Sequence, residues 1–112
     1  TGQEKSTAAL QIGYNAALTD LEAVLRQIPD FKYAYYNIGY IYMLEQNYAK
    51  AEQAFTQALK IDANFAEALF NRGVACIKQE KMQQAVSDLS QAGELGLYDS
   101  YSLIKKYADY RK

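Results

Sequence analysis

Few side chains in this 112-residue chain could perform nucleophilic or acid–base chemistry. The sequence contains no His and only one Cys, Cys76. The absence of His excludes Ser-His-Asp and Cys-His nucleophiles, removes the commonest general base and excludes most zinc sites. A single Cys also excludes an intrachain disulfide and any metal site that requires a pair of Cys ligands.

The remaining candidates are carboxylates, and their spacing does not indicate a catalytic pair. We interpret Glu45 with Glu52, and Asp88 with Glu94, as solvated helix faces. We interpret Cys76 as a small core residue rather than a nucleophile. The sequence therefore predicts that the chain is not an enzyme and that it uses no cofactor and no metal.

The composition is that of an ordinary globular domain. Hydrophobic residues make up 50% of the chain and charged residues 22%, which argues against disorder. The formal net charge of −1 gives no electrostatic reason to expect nucleic-acid binding. No apolar run of about 18 residues is present, so we expect no membrane insertion. The chain does not begin with Met, so we interpret it as a fragment; its compartment, cytoplasmic or periplasmic, stays open.

An internal repeat organises the sequence. Residues 34–55 and 68–89 match at a constant offset of 34 positions, which indicates a repeat architecture. The matched pairs are Ala34 with Ala68, Asn37 with Asn71, Gly39 with Gly73, Ala51 with Ala85, and Phe55 with Leu89. A partial copy lies upstream, where Tyr14, Ala17, Leu21 and Leu25 align with Tyr48, Ala51, Phe55 and Leu59, and Lys5 stands at the glycine position.

The spacing of apolar residues within each copy is helical. Tyr35, Ile38, Gly39 and Tyr42 follow the i, i+3, i+4, i+7 pattern of one helix face. The pattern predicts helices at about 15–27, 32–45, 48–61, 65–79, 82–93 and 99–110. Residues 5–13 are expected to form a short separate helix that turns at Gly13, with one long helix as the alternative.

The motif within each copy resembles the tetratricopeptide repeat, a helix–turn–helix unit with the pattern W-x2-L-G-x2-Y, A-x3-F and P. The second copy reads Tyr35-x2-Ile38-Gly39-x2-Tyr42 and Ala51-x3-Phe55. The third reads Leu69-x2-Arg72-Gly73-x2-Cys76 and Ala85-x3-Leu89, and the first keeps Ala17-x3-Leu21 and Pro29. Residues 88–96 and the helix after them also resemble, more weakly, the C-terminal end of longer bacterial tetratricopeptide repeat proteins.

The resemblance implies an all-α, right-handed superhelical stack of antiparallel helix pairs in a single domain, residues 1–112. We expect a partial repeat at about 1–31, repeats at 32–65 and 66–98, and a capping helix at 99–112. Two departures from the family pattern have expected consequences. Arg72 replaces an aliphatic residue, so we expect a wetter edge there, and Gln46 and Glu80 replace a turn glycine at some cost in stability.

The resemblance also implies a concave groove lined by the first helix of each pair, and a protein or peptide as the partner. In such a groove, Tyr rings would anchor the peptide, and the side chains of Asn37 and Asn71 would hydrogen-bond its backbone. The inward positions are expected to be Tyr33, Tyr36, Asn37, Tyr40 and Leu44 in the second repeat, and Glu67, Phe70, Asn71, Val74 and Lys78 in the third.

Other interpretations remain beside the groove. The Tyr rings could instead cover the neighbouring helix at 15–27 as core residues. The incomplete first repeat exposes an edge through which the chain could form a homodimer as part of a larger repeat protein. A clamp for a C-terminal carboxylate is not expected, because Tyr36 and Glu67 stand at positions where relatives carry basic or amide side chains. Nucleic-acid binding is not expected either, because only Lys32 lies close to the tyrosines in sequence.

Overall fold

The computed structural model describes the backbone of residues 2–110 and the side chains of residues 7–107. Within residues 2–110 the chain forms six helices and no strand, so the predicted all-α class is confirmed. The helices are α1 (Gly2–Gln27), α2 (Lys32–Leu44), α3 (Tyr48–Ile61), α4 (Ala66–Lys78), α5 (Met82–Glu94) and α6 (Asp99–Tyr110). From α2 onward, their ends lie within a few residues of the predicted ones.

The helices form a stack in which each one packs against its neighbours in sequence. The helices α2 and α3 form one antiparallel pair, α4 and α5 form the next, and α6 packs on α5. The helix α1 lies against α2 at the other end of the stack. The first helices of successive pairs therefore lie side by side on one surface, which is where the expected groove residues are located.

Two apolar clusters hold the stack together. The first joins α3 to α4 around Phe55, Phe65 and Leu69, and the second joins α4 to α5 around Cys76 and Leu89. Leu103, Ile104 and Tyr107 of α6 pack against the second cluster. Burial raises the pKa of Cys76 to about 11, so its thiol stays protonated at neutral pH and behaves as the core residue expected from sequence.

Two glycines bring the helices of each pair into close contact. A Cβ atom added at Gly39 would lie 2.6 Å from the ring of Phe55, and one added at Gly73 would lie 2.8 Å from Cγ of Leu89. Both opposing side chains are almost fully buried, at 0% and 1% exposed. These glycines therefore allow a large side chain from the second helix to pack directly on the backbone of the first.

The expectation of a separate helix at residues 5–13 is wrong, because α1 runs without interruption from Gly2 to Gln27. The turns between the two helices of each later pair explain why. The residues at the equivalent turn position, Gln46 and Glu80, have φ of 61° and 62°, in the left-handed region. The residue at this position in the first copy is Ile12, and a β-branched side chain strongly disfavours positive φ. The chain therefore continues as a helix through Ile12 and Gly13.

Arg72, at the edge expected to be wetter, is 19% exposed and is fully engaged in polar contacts. Its guanidinium donates to both carboxylate oxygens of Asp88, at 2.8 and 2.7 Å, and to Oγ1 of Thr56 at 3.3 Å. Gln84 donates to the same carboxylate at 2.9 Å. Asp88 is only 1% exposed, so the interpretation of Asp88 as part of a solvated face is wrong. The pair is a bidentate contact between a partly buried guanidinium and a buried carboxylate, and it links α3, α4 and α5.

We expect Gly39→Ala to destabilise the chain, although Ala favours a helix interior by about 1 kcal/mol over Gly. The added methyl would lie 2.6 Å from the fully buried Phe55 ring, so the ring or the helix must shift. Chemical denaturation checks this. Gly and Ala at the exposed position Gln57 serve as the control, because their difference in unfolding free energy reports helix propensity without packing. A variant more stable than the original chain would contradict close packing at this position.

Replacing the strained turn residue with glycine should have the opposite effect. Glu80→Gly should raise the free energy of unfolding by about 1 kcal/mol, because only Gly adopts the left-handed conformation without steric cost. Gln83→Gly, in the right-handed helix α5, is the control and should lower stability. Equal losses in both variants would show that the conformation at position 80 costs nothing.

We expect Arg72→Met to cost about 3–5 kcal/mol, because it leaves the carboxylate of Asp88 buried without its cation. The double change Arg72→Met with Asp88→Leu should recover much of that loss, since it removes both charges. Urea denaturation of the two single variants and the double variant measures the coupling. Purely additive losses would mean that the two side chains stabilise the fold independently.

Candidate functional site

A cleft of about 490 Å³ opens between the N-terminal halves of α2 and α4. Four of the residues expected in the groove line it: Tyr33, Tyr36, Asn37 and Glu67. The structure adds six further lining residues, which are Lys32, Asp62, Asn64, Phe65, Ala66 and Leu95. The cleft is therefore built by two neighbouring pairs together and not by either pair alone.

Phe65 is the centre of the aromatic surface in this cleft. It precedes α4 and is 7% exposed. The ring of Tyr36 stacks on it with centroids 5.1 Å apart, and the ring of Tyr33 meets it edge-on at 5.6 Å. Tyr36 also contacts Phe55 at 5.7 Å, whereas Tyr33 stays 52% exposed. The cleft thus has a fixed aromatic floor with one ring presented to solvent.

An ion pair borders the aromatic surface. Nζ of Lys32 donates to the carboxylate of Asp62 and lies 5.2 and 5.1 Å from the ring centres of Tyr33 and Phe65. Asp62 also accepts from the backbone N–H of Asn64 at 3.0 Å. The hydrogen bond between the two side chains raises the pKa of Lys32 and lowers the pKa of Asp62. Both groups therefore stay charged at neutral pH and neutralise each other.

The amide of Asn71 is already engaged within the chain. Its Nδ2 donates to the hydroxyl of Tyr36 at 2.9 Å and to the backbone carbonyl of Glu67 at 3.1 Å. Both amide hydrogens are used in this way, which leaves Oδ1 as the atom able to accept. Burial, together with the nearby carboxylate of Glu67, raises the pKa of Tyr36, so its hydroxyl keeps its proton.

Asn37 differs from Asn71, its counterpart in the next repeat. It is exposed on the wall of the cleft, and its side chain has no hydrogen-bond partner among residues 7–107. The Asn37 amide is therefore available both to donate and to accept.

The other expected groove residues lie further along the same two helices. Tyr40 and Leu44 of α2 are 48% and 49% exposed, and Lys78 is exposed at the end of α4. Val74 is half-buried. Phe70, also half-buried, lines a second cleft of about 380 Å³ with residues 96–99 before and at the start of α6. The ten predicted residues thus spread over a surface longer than one cleft.

The ring–ring contacts of Tyr33 and Tyr36 are with other aromatic residues; residues 15–27 contain no ring, so these contacts leave the alternative in which the tyrosines cover that helix a prediction. The ring contacts of Tyr33 are with Phe31 and Phe65, and those of Tyr36 are with Phe55 and Phe65. Tyr36 is nevertheless partly a core residue, because it packs against the first apolar cluster.

The sequence did not predict that Lys32, Asp62 and Phe65 line the cleft. The repeat offset places Phe65 opposite Phe31, so a recurrent aromatic residue before each first helix was a usable signal. The pairing of Lys32 with Asp62 joins positions 30 residues apart and had no local signal.

Neither a metal site nor a membrane span is found in the part of the chain that the structure describes. Among residues 7–107, no group of three or more Cys, Asp or Glu side chains could hold a metal ion. None of the described helices is both long and apolar enough to cross a bilayer.

Comparison with protein families decides the architecture. Models described as tetratricopeptide repeat match residues 33–65 and 66–95, which together span more than half of the chain. The chain belongs to the tetratricopeptide repeat family. Repeats of this family generally form non-enzymatic interaction modules. The two matched repeats support a protein–protein interaction module in this chain.

Curated relatives match part of this tetratricopeptide repeat chain. Neutrophil cytosol factor 2 of Homo sapiens is 39% identical over 57 residues, and the protein of the same name from Bos taurus is 37% identical over 57 residues. In each case the match covers 51% of this chain and 11% of the relative. The chain thus spans about a tenth of the length of these relatives.

Solved structures show the same fold over more of the chain. The first tetratricopeptide repeat domain of Spaghetti (RPAP3), bound to the HSP90 peptide SRMEEVD, has a TM-score of 0.82 at 18% identity and covers 96% of this chain and 87% of that one. A double mutant of MamA RS-1 has a TM-score of 0.69 at 26% identity, covering 83% of this chain and 53% of that one. The predicted superhelical stack of helix pairs is confirmed by this likeness.

Proposed function

We propose that the chain binds a peptide segment of a partner protein along the concave surface of α2 and α4, with the cleft around Tyr33 and Tyr36 as the main contact. The observation that carries this proposal is that one cleft holds the half-exposed ring of Tyr33 beside the exposed side-chain amide of Asn37.

The exposed rings supply the apolar part of the contact. Tyr33 and Tyr40 are about half exposed and are spaced two helical turns apart on α2. Tyrosine offers a large contact area and loses little conformational entropy when it becomes ordered. Because Tyr33 is already held against Phe65, it is preorganised to receive an apolar side chain of the peptide.

The polar atoms suit the peptide backbone. The hydroxyl of Tyr36 accepts from Asn71 and keeps its own proton to donate to a carbonyl group. Oδ1 of Asn71 accepts from an N–H group, and Asn37 is able to do both. Backbone recognition by such groups supplies affinity, while the aromatic rings select the side chains.

An acidic, carboxylate-rich peptide is not the expected ligand. The Spaghetti domain is bound to the peptide SRMEEVD, which carries three acidic side chains. In this chain the cation of the cleft, Lys32, is neutralised by Asp62, and Glu67 adds a negative charge beside them. We therefore expect a neutral or basic peptide with an apolar anchor residue.

Selection of a phage-displayed library of random 12-residue peptides on the chain would supply a probe. Tyr33→Ala and Tyr40→Ala should each weaken binding of a selected peptide by about 2 kcal/mol, with little change in the melting temperature, because both rings are half exposed. Tyr36→Phe keeps the packed ring and should lose about 1 kcal/mol of binding through its hydroxyl alone.

The control is Val86→Ala, which removes an exposed apolar side chain from α5, outside the cleft. It should leave peptide affinity unchanged. A selected peptide whose affinity is insensitive to all three Tyr changes would place the binding surface elsewhere. Large losses of stability in both Tyr33→Ala and Tyr40→Ala would instead show that these rings serve the core.

A further inference from the structure

The cleft between α4 and α6, which we call the second cleft, is built in the same way as the first cleft between α2 and α4. In the first cleft, Tyr36 of α2 lies opposite the turn before α4 and the start of that helix, at residues 62–67. In the second, Phe70 of α4, 34 positions after Tyr36, lies opposite the turn before α6 and the first residue of that helix, at residues 96–99. The same kind of cleft therefore recurs one repeat further along.

The second cleft is not open for lack of a neighbouring helix. The first cleft stays open although the helix pairs on both sides of it are complete. The second cleft also has a helix on each side, because α4 and α6 both pack on α5. Leu95 lines the first cleft and the next residue, Gly96, lines the second. The two clefts therefore form one continuous surface.

Apolar walls and a carboxylate without a partner meet in the second cleft. Phe70 and Leu97 are half-buried, and Tyr98 is 73% exposed. The fourth side chain, Asp99, is exposed in the first turn of α6. Among residues 7–107, no side chain donates a hydrogen bond to its carboxylate or pairs with it. The cleft thus presents one uncompensated negative charge beside packed apolar side chains and an exposed ring.

This charge distinguishes the second cleft from the first. In the first cleft, Lys32 pairs with Asp62 and lies close enough to Glu67 to feel its charge. Asp99 has no such cation and therefore attracts one. An arginine side chain suits the second cleft, because its methylene stem packs along apolar walls and its guanidinium both stacks on aromatic rings and pairs with a carboxylate.

We propose that the second cleft is a subsite for a basic residue of the bound peptide, an arginine or a lysine, whose cation pairs with Asp99. This inference rests on the proposed peptide binding and adds a second point of recognition to it. Packed neighbouring helices lie about 10 Å apart, and α2 contacts α4. An extended peptide advances about 3.3 Å per residue, so the basic residue lies about three positions from the apolar residue held by Tyr33.

Selection of the random 12-residue phage library on three chains tests the subsite. Peptides selected on the unaltered chain should carry Arg or Lys about three positions from an aromatic or aliphatic residue. Asp99→Lys should replace that preference with one for Asp or Glu. Asp20→Lys is the matched control, because Asp20 is exposed on α1 and lines neither cleft. This control makes the same change in net charge and should keep the preference for a basic residue.

A selected peptide then measures the ion pair directly. Replacing its basic residue with Gln should weaken binding to the unaltered chain about fivefold, the upper range for an exposed ion pair. The same replacement should hardly change binding to Asp99→Asn. A carboxylate in the first turn also stabilises a helix, so the Asn variant should melt slightly lower and still fold, as circular dichroism checks.

The outcomes separate this subsite from the peptide groove as a whole. Selected peptides without a basic residue, or with one that is retained on Asp99→Lys, would overturn the subsite and leave the groove standing. A fivefold loss that persists in Asp99→Asn would do the same. A library that yields no binder to the unaltered chain would contradict both proposals.

Discussion

The rest of this structure depends on one kind of contact, in which a buried side chain of one helix packs against the backbone of its partner helix. Phe55 rests on Gly39, and Leu89 rests on Gly73, at distances that leave no space for a Cβ atom. Because this contact fixes the rotation of α2 about its own axis, it also fixes the direction of Tyr36, three residues before Gly39. The groove is thus a consequence of how the adjoining face of the same helix is packed, since Phe55 contacts both Gly39 and Tyr36.

Phe65 connects the packing of one helix pair to that of the next. It belongs to the core cluster between α3 and α4, and its ring also forms the floor of the cleft. A residue that serves both surfaces couples the stability of the stack to the shape of the site. This explains why Tyr36 is neither a pure core residue nor a free surface residue, since it stacks on Phe65 and still lines the cleft.

Features that follow from the spacing of apolar residues and from the repeat were predictable from the sequence. The helices from α2 to α6, and the placement of Tyr33, Tyr36 and Asn37 on one surface, follow from spacing and from the repeat. The contact of Arg72 with Asp88 was not predictable from this spacing. It joins positions 16 residues apart, and it places an ion pair where the family pattern has apolar packing. The continuity of α1 was missed although its cause, Ile12 at a left-handed turn position, is visible in the sequence.

The two exposed apolar surfaces of the chain have different origins, and this distinguishes their roles. The groove is exposed in a complete pair: α2 has both its partner α3 and its neighbour α4, and Tyr40 stays half exposed nonetheless. Its exposure is therefore a property of a finished repeat. Leu21 of α1, by contrast, is half-buried at a repeat position that is dry in α3 and α5, where Phe55 and Leu89 are 0% and 1% exposed. Its exposure reflects a missing neighbour and not a finished surface, so the groove is the surface that suits a foreign ligand.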